Sequence, residues 1–238
     1  MIIAHGFKGF MGWGMFPWIA ERLVAAGFAA IRFDFALNGA DENGDFTRLD
    51  DFRRNTFTAE QNDLRTMVQA VVDGHFGDAC RRDRIGLPGH SRGGGGVILR
   101  APHEPAVAAV VALAPIDHTR RFPPEAMAVA ERDGFFPIHN ARTGQEMPVG
   151  IEVFRDAANH DILGAARAMT QPLLVVHGTE DQSVPAEEGR NIVEAHGTLL
   201  EIPDADHTFG AKHPFSGTTP HLETATDAVV EFFAQHLA

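Results

Sequence analysis

The feature that most constrains this chain is the segment G-H-S-R-G at residues 89–93. A short run of apolar residues and glycine precedes it at residues 85–88, and a glycine-rich stretch ending in Val97-Ile98-Leu99 follows it, so the pattern predicts a strand, a sharp turn and a helix. A turn this tight brings strand and helix close together, and glycine on both sides of the serine leaves room for that contact. The pattern therefore predicts that Ser91 is held at the apex of the turn as a nucleophile. The alternative is a glycine-rich loop with an incidental serine, since short motifs also occur by chance.

Length and composition limit the classes of protein to which the chain can belong. Its 238 residues are 44% hydrophobic and 22% charged, which suits one globular domain. The net charge of -12 argues against nucleic acid or an anionic membrane as a partner. The apolar run at residues 1–4 is too short for a signal peptide, and no run reaches the length of a membrane span. The single cysteine, Cys80, excludes an internal disulfide and suits a reducing compartment, so we expect a cytoplasmic protein.

Segments with strand-like and helix-like spacing alternate along most of the chain. Thr58, followed by Gln61 three residues later, predicts the capped start of a helix that ends near Gly74. Residues 38–57 predict only a polar loop. Because strands that alternate with helices need crossover connections, the pattern indicates a mostly parallel sheet. The predicted strands are residues 1–4, 28–33, 84–87, 106–113, 173–176 and 198–202, and the predicted helices are 16–24, 58–72, 93–100, 186–195 and 221–236.

Residues 115–168 interrupt this alternation. Proline, charged residues and isolated aromatic residues replace it, with short helical stretches near residues 124–132 and 159–168. We interpret the segment as a short helical lid inserted over the active-site end of the sheet. The whole chain, residues 1–238, is then one domain.

Three residues of complementary chemistry follow predicted strands. Ser91 comes after the third strand, Asp181 after the fifth and His207 after the last. The carboxyl ends of parallel strands meet at one edge of the sheet, where chemistry gathers. A serine hydroxyl is a poor nucleophile at neutral pH, so it needs a base in contact and a third group that orients the base. We therefore predict a catalytic triad of nucleophile, acid and base in that chain order.

Other residues are weaker candidates for the acid and the base. His213 lies further along the loop that follows the last strand, and His221 begins the last predicted helix. Glu180 is the alternative acid next to the one chosen. Asp204 and Asp206 flank the predicted base, but residues adjacent in sequence seldom have the geometry that such a pair requires.

The predicted chemistry also needs two N–H donors for the negative oxygen that forms during acyl transfer. The backbone N–H of Arg92, directly after the nucleophile, is one candidate. The loop H-G-F-K-G at residues 5–9 follows the first strand, and Phe7 within it is the other candidate. A plain turn is the alternative interpretation of this loop.

Several residues are candidates for the substrate pocket. Phe10, Trp13 and Phe136 are apolar, although such residues more often belong to a core. Arg142 lies in a polar stretch and could meet a carboxylate, although a solvated turn is the alternative. We predict no metal site, because His139, His160 and Asp161 lack a closed ligand set, and no cofactor.

Four blocks of sequence together carry a family resemblance. They are H-G-F-K-G at residues 5–9, G-H-S-R-G at 89–93, H-G through Asp181 to V-P at 177–185, and D-H-T-F at 206–209. In this order, over nearly the whole chain, they resemble the α/β-hydrolase superfamily. Within it, the chain resembles the dienelactone-hydrolase-like and cinnamoyl or feruloyl esterase-like branch. Dienelactone hydrolases proper have cysteine in place of Ser91, so the resemblance does not carry their lactone substrate over.

The resemblance implies a fold and a set of residue roles. The fold is a mostly parallel sheet of about six strands with helices on both faces. It implies Ser91 as nucleophile, Asp181 as acid, His207 as base, and Phe7 and Arg92 as oxyanion donors. Family members carry further strands before the first strand of this chain, so we expect those strands to be missing here. The strand at residues 28–33 then becomes an exposed edge, which we expect residues 38–57 or a second subunit to cover.

These expectations favour one function over two alternatives. The favoured one is a serine hydrolase that cleaves a carboxylic ester of a small or aromatic acyl group through an acyl-enzyme. An amide- or peptide-cleaving relative of the prolyl-oligopeptidase group is the second, although the chain is too short to include a gating propeller. A sensing protein with a hydrolase pocket and little turnover is the third. The expected partner is a small-molecule ester, with a homo-oligomer through the exposed strand edge as a further possibility.

Overall fold

The computed structural model describes residues 1–78 and 80–237, in which six parallel strands form the central sheet. In chain order the strands are β1 (Ile2–Ile3), β2 (Ile31–Arg32), β3 (Ile85–His90), β4 (Val107–Leu113), β5 (Phe135–His139), β6 (Glu146–Gly150), β7 (Leu173–Gly178) and β8 (Thr198–Ile202). The pair β1–β2 joins the four strands β3–β4–β7–β8 through a parallel bridge between Ala4 and Gly89. The spatial order is therefore β2–β1–β3–β4–β7–β8, with β5 and β6 outside it as an antiparallel hairpin.

Helices cover both faces of this sheet. They are α1 (Met15–Ala25), α2 (Leu49–Arg53), α3 (Phe57–Val72), α4 (Arg92–Arg100), α5 (Ala126–Asp133), α6 (Ile151–Ala157), α7 (Ile162–Ala168), α8 (Ala186–Ala195) and α9 (Pro220–Leu237). Buried side chains of α3, α4, α7 and α8 pack on one face, and those of α1 and α9 pack on the other. The expected sheet with helices on both faces is confirmed.

The central strand β4 explains why its sequence is an almost unbroken apolar run. Val110 and Ala112 point into the core beneath α4, whereas Val111 and Leu113 point into the core beneath α9. Each of the four is at most 2% exposed. A parallel strand covered on both faces has no polar side, so the period-two alternation of a half-buried strand is absent.

The start of α3 corrects the prediction for its cap. The hydroxyl of Thr56, not of Thr58, accepts the N–H of Ala59 at 3.1 Å, and the helix begins at Phe57. The hydroxyl and N–H of Thr58 both donate to the Asp156 carboxylate, at 2.5 and 2.9 Å. The predicted cap is therefore wrong by two residues, because Asp156, which is distant in sequence, binds the side chain of Thr58.

The inserted segment contains a hairpin that the sequence did not reveal. The predicted helical stretches correspond to α5 and α7, but β5 and β6 pair between them. Proline normally argues against a strand because it cannot donate a ladder hydrogen bond. Here Pro137 stands opposite Pro148 in a two-stranded ribbon whose outer edges need no ladder bonds. The insertion therefore contains the predicted helical stretches and, in addition, a hairpin that was not predicted.

Residues 38–57 contact this hairpin and do not extend the central sheet. Arg142 donates to the Gly44 carbonyl at 2.7 Å, and the Gln145 amide donates to the Phe46 carbonyl at 3.0 Å. Within the described ranges, β2 pairs only with β1. Residues 38–57 thus do not cover the exposed edge at β2 by strand pairing. Covering of that edge by a second subunit stays a prediction.

Candidate active site

Ser91 occupies the turn between β3 and α4 in a strained conformation. Its φ of 55° and ψ of -120° lie where a side chain is rarely found. A Cβ at Gly89 would collide with the carbonyl of Gly93, and one at Gly93 would collide with the carbonyl of His5. The two glycines of the motif therefore allow strand, helix and the first loop to meet around the serine.

His207 and Asp181 form a short contact between titratable groups at this edge of the sheet. The Nδ1 of His207 donates to Oδ2 of Asp181 at 2.7 Å. The other oxygen, Oδ1, accepts the backbone N–H groups of Ser183 and Val184, both at 2.8 Å. Backbone donors thus fix the direction of the carboxylate, and the carboxylate fixes the ring tautomer of the histidine.

A second histidine touches the same carboxylate. His177 is fully buried, and its Nε2 lies 2.9 Å from the Val184 carbonyl and 3.3 Å from Oδ2 of Asp181. Burial opposes ionisation of Asp181, but the hydrogen bonds from His177 and His207 outweigh it and hold the pKa of this carboxyl well below its ordinary value. Asp181 is therefore an anion at neutral pH.

The structure brings Ser91 and His207 to the walls of the same two cavities. The larger has a volume of about 320 Å³ and the smaller about 190 Å³. Phe7 and Lys8 also line both, so the loop that follows β1 separates the two spaces. All three predicted triad residues thus lie together at the carboxyl edge of the sheet.

The buried side chain of His5 holds the loop that follows β1. Its Nδ1 donates to the Gly6 carbonyl at 2.9 Å, and its Nε2 accepts the N–H of Phe35 at 3.3 Å. Burial lowers the pKa of His5, so the ring stays neutral. Among the described hydrogen bonds none uses the N–H of Phe7, and Arg92, the first residue of α4, has no acceptor within its helix. Neither N–H group is thus used by a described hydrogen bond.

His90 is a residue whose role the sequence did not indicate. Its Nε2 donates to the backbone carbonyl of His207 at 2.9 Å, and the two rings lie 4.6 Å apart. Burial and the nearby His207 lower the pKa of His90 to about 3, so it is neutral. His90 thus ties the loop that carries His207 to the turn at Ser91. The only signal in the sequence was its place directly before Ser91.

The side chain of Arg92 turns away from solvent into a buried ion pair. Its Nε donates to Oε2 of Glu60 at 2.8 Å, and Nη2 donates to the Asn55 carbonyl at 3.0 Å. The guanidinium lies 3.9 Å from the centre of the Phe57 ring. Burial raises the pKa of Glu60, against the opposing effect of Arg92. The pair anchors the start of α3 beside the turn at Ser91.

Replacing Arg92 by methionine is expected to lower the free energy of unfolding by about 3–5 kcal/mol, because Glu60 is left buried without its cation. Urea denaturation followed by circular dichroism measures the loss. Replacing Glu60 by methionine as well should restore much of it, since removing both charges is often neutral. A single variant as stable as the wild type would contradict the role of the pair.

The four predicted pocket residues divide into two groups. Trp13 and Arg142 line the smaller cavity. Phe10 is 5% exposed and lies beneath Arg142, whose guanidinium is 5.6 Å from its ring centre. Phe136 packs against other aromatic rings of the insertion and lines neither cavity.

The described residues include one cluster with the composition of a metal site. Ligand atoms of Asp117, His118 and Glu188 lie within 4.8 Å of one another. The carboxylates already have partners, because Asn191 donates to Asp117 at 2.8 Å and Arg121 donates to Glu188 at 2.5 Å. The cluster is thus a hydrogen-bonded network beside the larger cavity.

None of the described helices is long and apolar enough to cross a membrane.

The parallel sheet, the serine at a strand–helix turn and the acid and histidine at neighbouring strand ends define an α/β hydrolase. The chain matches the model of the dienelactone hydrolase family over residues 1–237, and it belongs to that family. It is accordingly a carboxylic ester hydrolase. No curated protein sequence matches it.

Solved structures agree with this fold. Est1E from Butyrivibrio proteoclasticus with ferulic acid bound has a TM-score of 0.73 and 24% identity, covering 99% of this chain and 88% of that one. A monoacylglycerol lipase from Paleococcus ferrophilus also has a TM-score of 0.73, with 20% identity, 99% coverage of this chain and 93% of that one. Similarity at this level concerns the arrangement of the backbone.

Proposed function

We propose that the chain is a serine esterase that cleaves a carboxylic ester of a small or aromatic acyl group through an acyl-enzyme intermediate. The observation that carries the proposal is the 2.7 Å hydrogen bond between His207 and Asp181 beside the strained Ser91. With Nδ1 committed to the carboxylate, Nε2 of His207 is left with the lone pair that a general base needs.

The reaction has two halves. The Oγ of Ser91 attacks the acyl carbonyl as Nε2 of His207 takes its proton, and the histidine then gives that proton to the leaving alcohol. In the second half, water attacks the acyl carbon as Nε2 of His207 takes a proton from it, the bond between that carbon and Oγ of Ser91 breaks, and the histidine returns the proton to Oγ as the carboxylic acid product leaves. The anionic Asp181 stabilises the imidazolium that forms in each half.

The free N–H groups of Phe7 and Arg92 supply the oxyanion hole in this proposal. Other contacts already hold the backbone at each donor. The donors therefore need not reorganise when negative charge develops on the acyl oxygen. Removing one such donor typically costs about 3–4 kcal/mol of transition-state stabilisation.

The two cavities beside Ser91 provide space for the two parts of an ester. The insertion forms a wall of the smaller one through Arg142. Lys8 donates to the His139 carbonyl at 3.2 Å and so links the oxyanion loop to the hairpin. We therefore assign residues 115–168 as a lid of the single hydrolase domain, and Trp13 and Arg142 as substrate contacts.

A panel of p-nitrophenyl esters, methyl ferulate and an aminoacyl anilide tests the proposal. Methyl ferulate is included because a structural neighbour has ferulic acid bound. We expect turnover of the esters and stoichiometric labelling of Ser91 by a fluorophosphonate, located by peptide mass spectrometry. Faster cleavage of the anilide than of the esters would favour the amide-cleaving alternative. Neither turnover nor labelling would favour a sensing protein.

A further inference from the structure

A further cavity lies beside the larger catalytic cavity. Its volume is about 330 Å³, close to that of its neighbour. Three residues line both spaces, namely Thr119, Arg121 and Phe122. Two exposed arginines, Arg120 and Arg155, also border it. The rest of its wall is apolar: Pro123, Pro124, Met127, Phe154, Ala157 and Ala158.

Polar contacts hold two of the three shared residues in place. The buried hydroxyl of Thr119 donates to the Ala157 carbonyl at 2.5 Å. Arg121 donates to Glu188 at 2.5 Å and to the Ser183 carbonyl at 3.2 Å. Moving either residue would break these hydrogen bonds.

Phe122 forms the partition between the two spaces. Its ring centre lies 6.2 Å from that of Phe7, which lines the catalytic cavity, and 5.1 Å from that of Phe154, which lines the further cavity. The side chain is half-buried, on a stretch between β4 and α5 that is neither helix nor strand. It is therefore the shared residue that can turn aside without loss of a hydrogen bond.

We propose that Phe122 limits the length of the acyl group by closing the catalytic cavity against the further one. This inference rests on the proposed esterase function. With the ring in place, an acyl chain that starts at Ser91 ends at Phe122. With the ring removed, an aliphatic chain continues along the apolar wall, and each buried methylene adds favourable transfer energy. The substrate class gained is that of medium- and long-chain aliphatic esters.

The experiment compares p-nitrophenyl esters from acetate to dodecanoate with the wild type, Phe122→Ala and Phe122→Leu. For Phe122→Ala we expect kcat/KM with the decanoate ester to rise by about tenfold or more relative to the acetate ester. Adding Ala158→Phe, which fills the further cavity, should abolish the gain. Phe135→Ala is the matched control, because this phenylalanine of the hairpin is 39% exposed and lines neither cavity.

Binding of decanoate, measured by isothermal titration calorimetry, tests the partition without turnover. We expect Phe122→Ala to bind it about tenfold more tightly than the wild type does. Failure of the wild type to cleave any ester would overturn the proposed function, and the binding comparison would then decide the role of Phe122. An unchanged chain-length profile together with unchanged binding in both Phe122 variants, each folded by circular dichroism, would overturn the inference.

Discussion

The Ser91→Ala variant is expected to lose kcat for p-nitrophenyl butyrate by about 10⁵- to 10⁶-fold. Alanine lacks the oxygen that attacks the acyl carbonyl, while the oxyanion donors and the cavities stay as they are. A residual rate above that of the uncatalysed reaction should persist, because those donors still stabilise the transition state. The substitution keeps a Cβ at φ 55°, so the backbone strain is the same and the thermal unfolding temperature should not change.

Ser216→Ala is the matched control for this measurement. Ser216 is exposed and lines neither catalytic cavity, so the same chemical change should leave kcat unaltered. Active-site titration with a fluorophosphonate excludes contaminating esterase as the source of any remaining activity. Full turnover in a titrated Ser91→Ala sample would show that another residue is the nucleophile.

The Asp181→Asn variant is expected to lower kcat by about 10⁴-fold with little change in the fold. Oδ1 of the asparagine can still accept the N–H groups of Ser183 and Val184, so its NH₂ group faces His207. The imidazole must then accept at Nδ1 and carry its proton on Nε2, where the base needs a lone pair. Asp204→Asn is the matched control, because Asp204 is exposed in the loop that leads to the same histidine. A loss below tenfold would contradict the assignment of Asp181 as the acid.

Stability against pH gives an independent test of the same carboxyl. The pKa of Asp181 is lowered in the folded protein, so its ionisation stabilises the fold above the unfolded-state pKa of about 3.9. That contribution is lost as the pH falls through this value toward the lower folded-state pKa. Urea denaturation should therefore show Asp181→Asn less stable than the wild type at about pH 7, with a smaller difference at about pH 3. Parallel pH profiles for the two proteins would contradict the lowered pKa.

Local sequence was sufficient to predict an element where the physical constraint on it involves only residues close together along the chain. The turn around Ser91 needs glycine within two residues on each side, so five consecutive residues predict it. The run that forms β4 was equally readable, because a strand covered on both faces contains almost only apolar residues. The order of the acid and the histidine after successive strands then placed them at one edge of the sheet.

Sequence reasoning failed where a residue's partner is distant along the chain. The cap of α3 was misplaced because Asp156 binds Thr58, and the hairpin was missed because two prolines oppose each other across it. Asp34 likewise accepts the N–H of Met11, which no local pattern indicates. Long-range contacts of this kind override local propensity because burial and packing contribute more free energy than a single cap.

The turn at Ser91, the parallel sheet and the order of the three polar residues follow from the sequence by itself, since each depends on residue type and spacing along the chain. Tertiary structure decided how these parts are held together: the ring of His90 donates to the carbonyl of His207, and the guanidinium of Arg92 pairs with Glu60. It also decided that Phe122 stands between two cavities. These contacts join residues far apart in sequence, and only the packing of helices and loops around the sheet sets which of them meet.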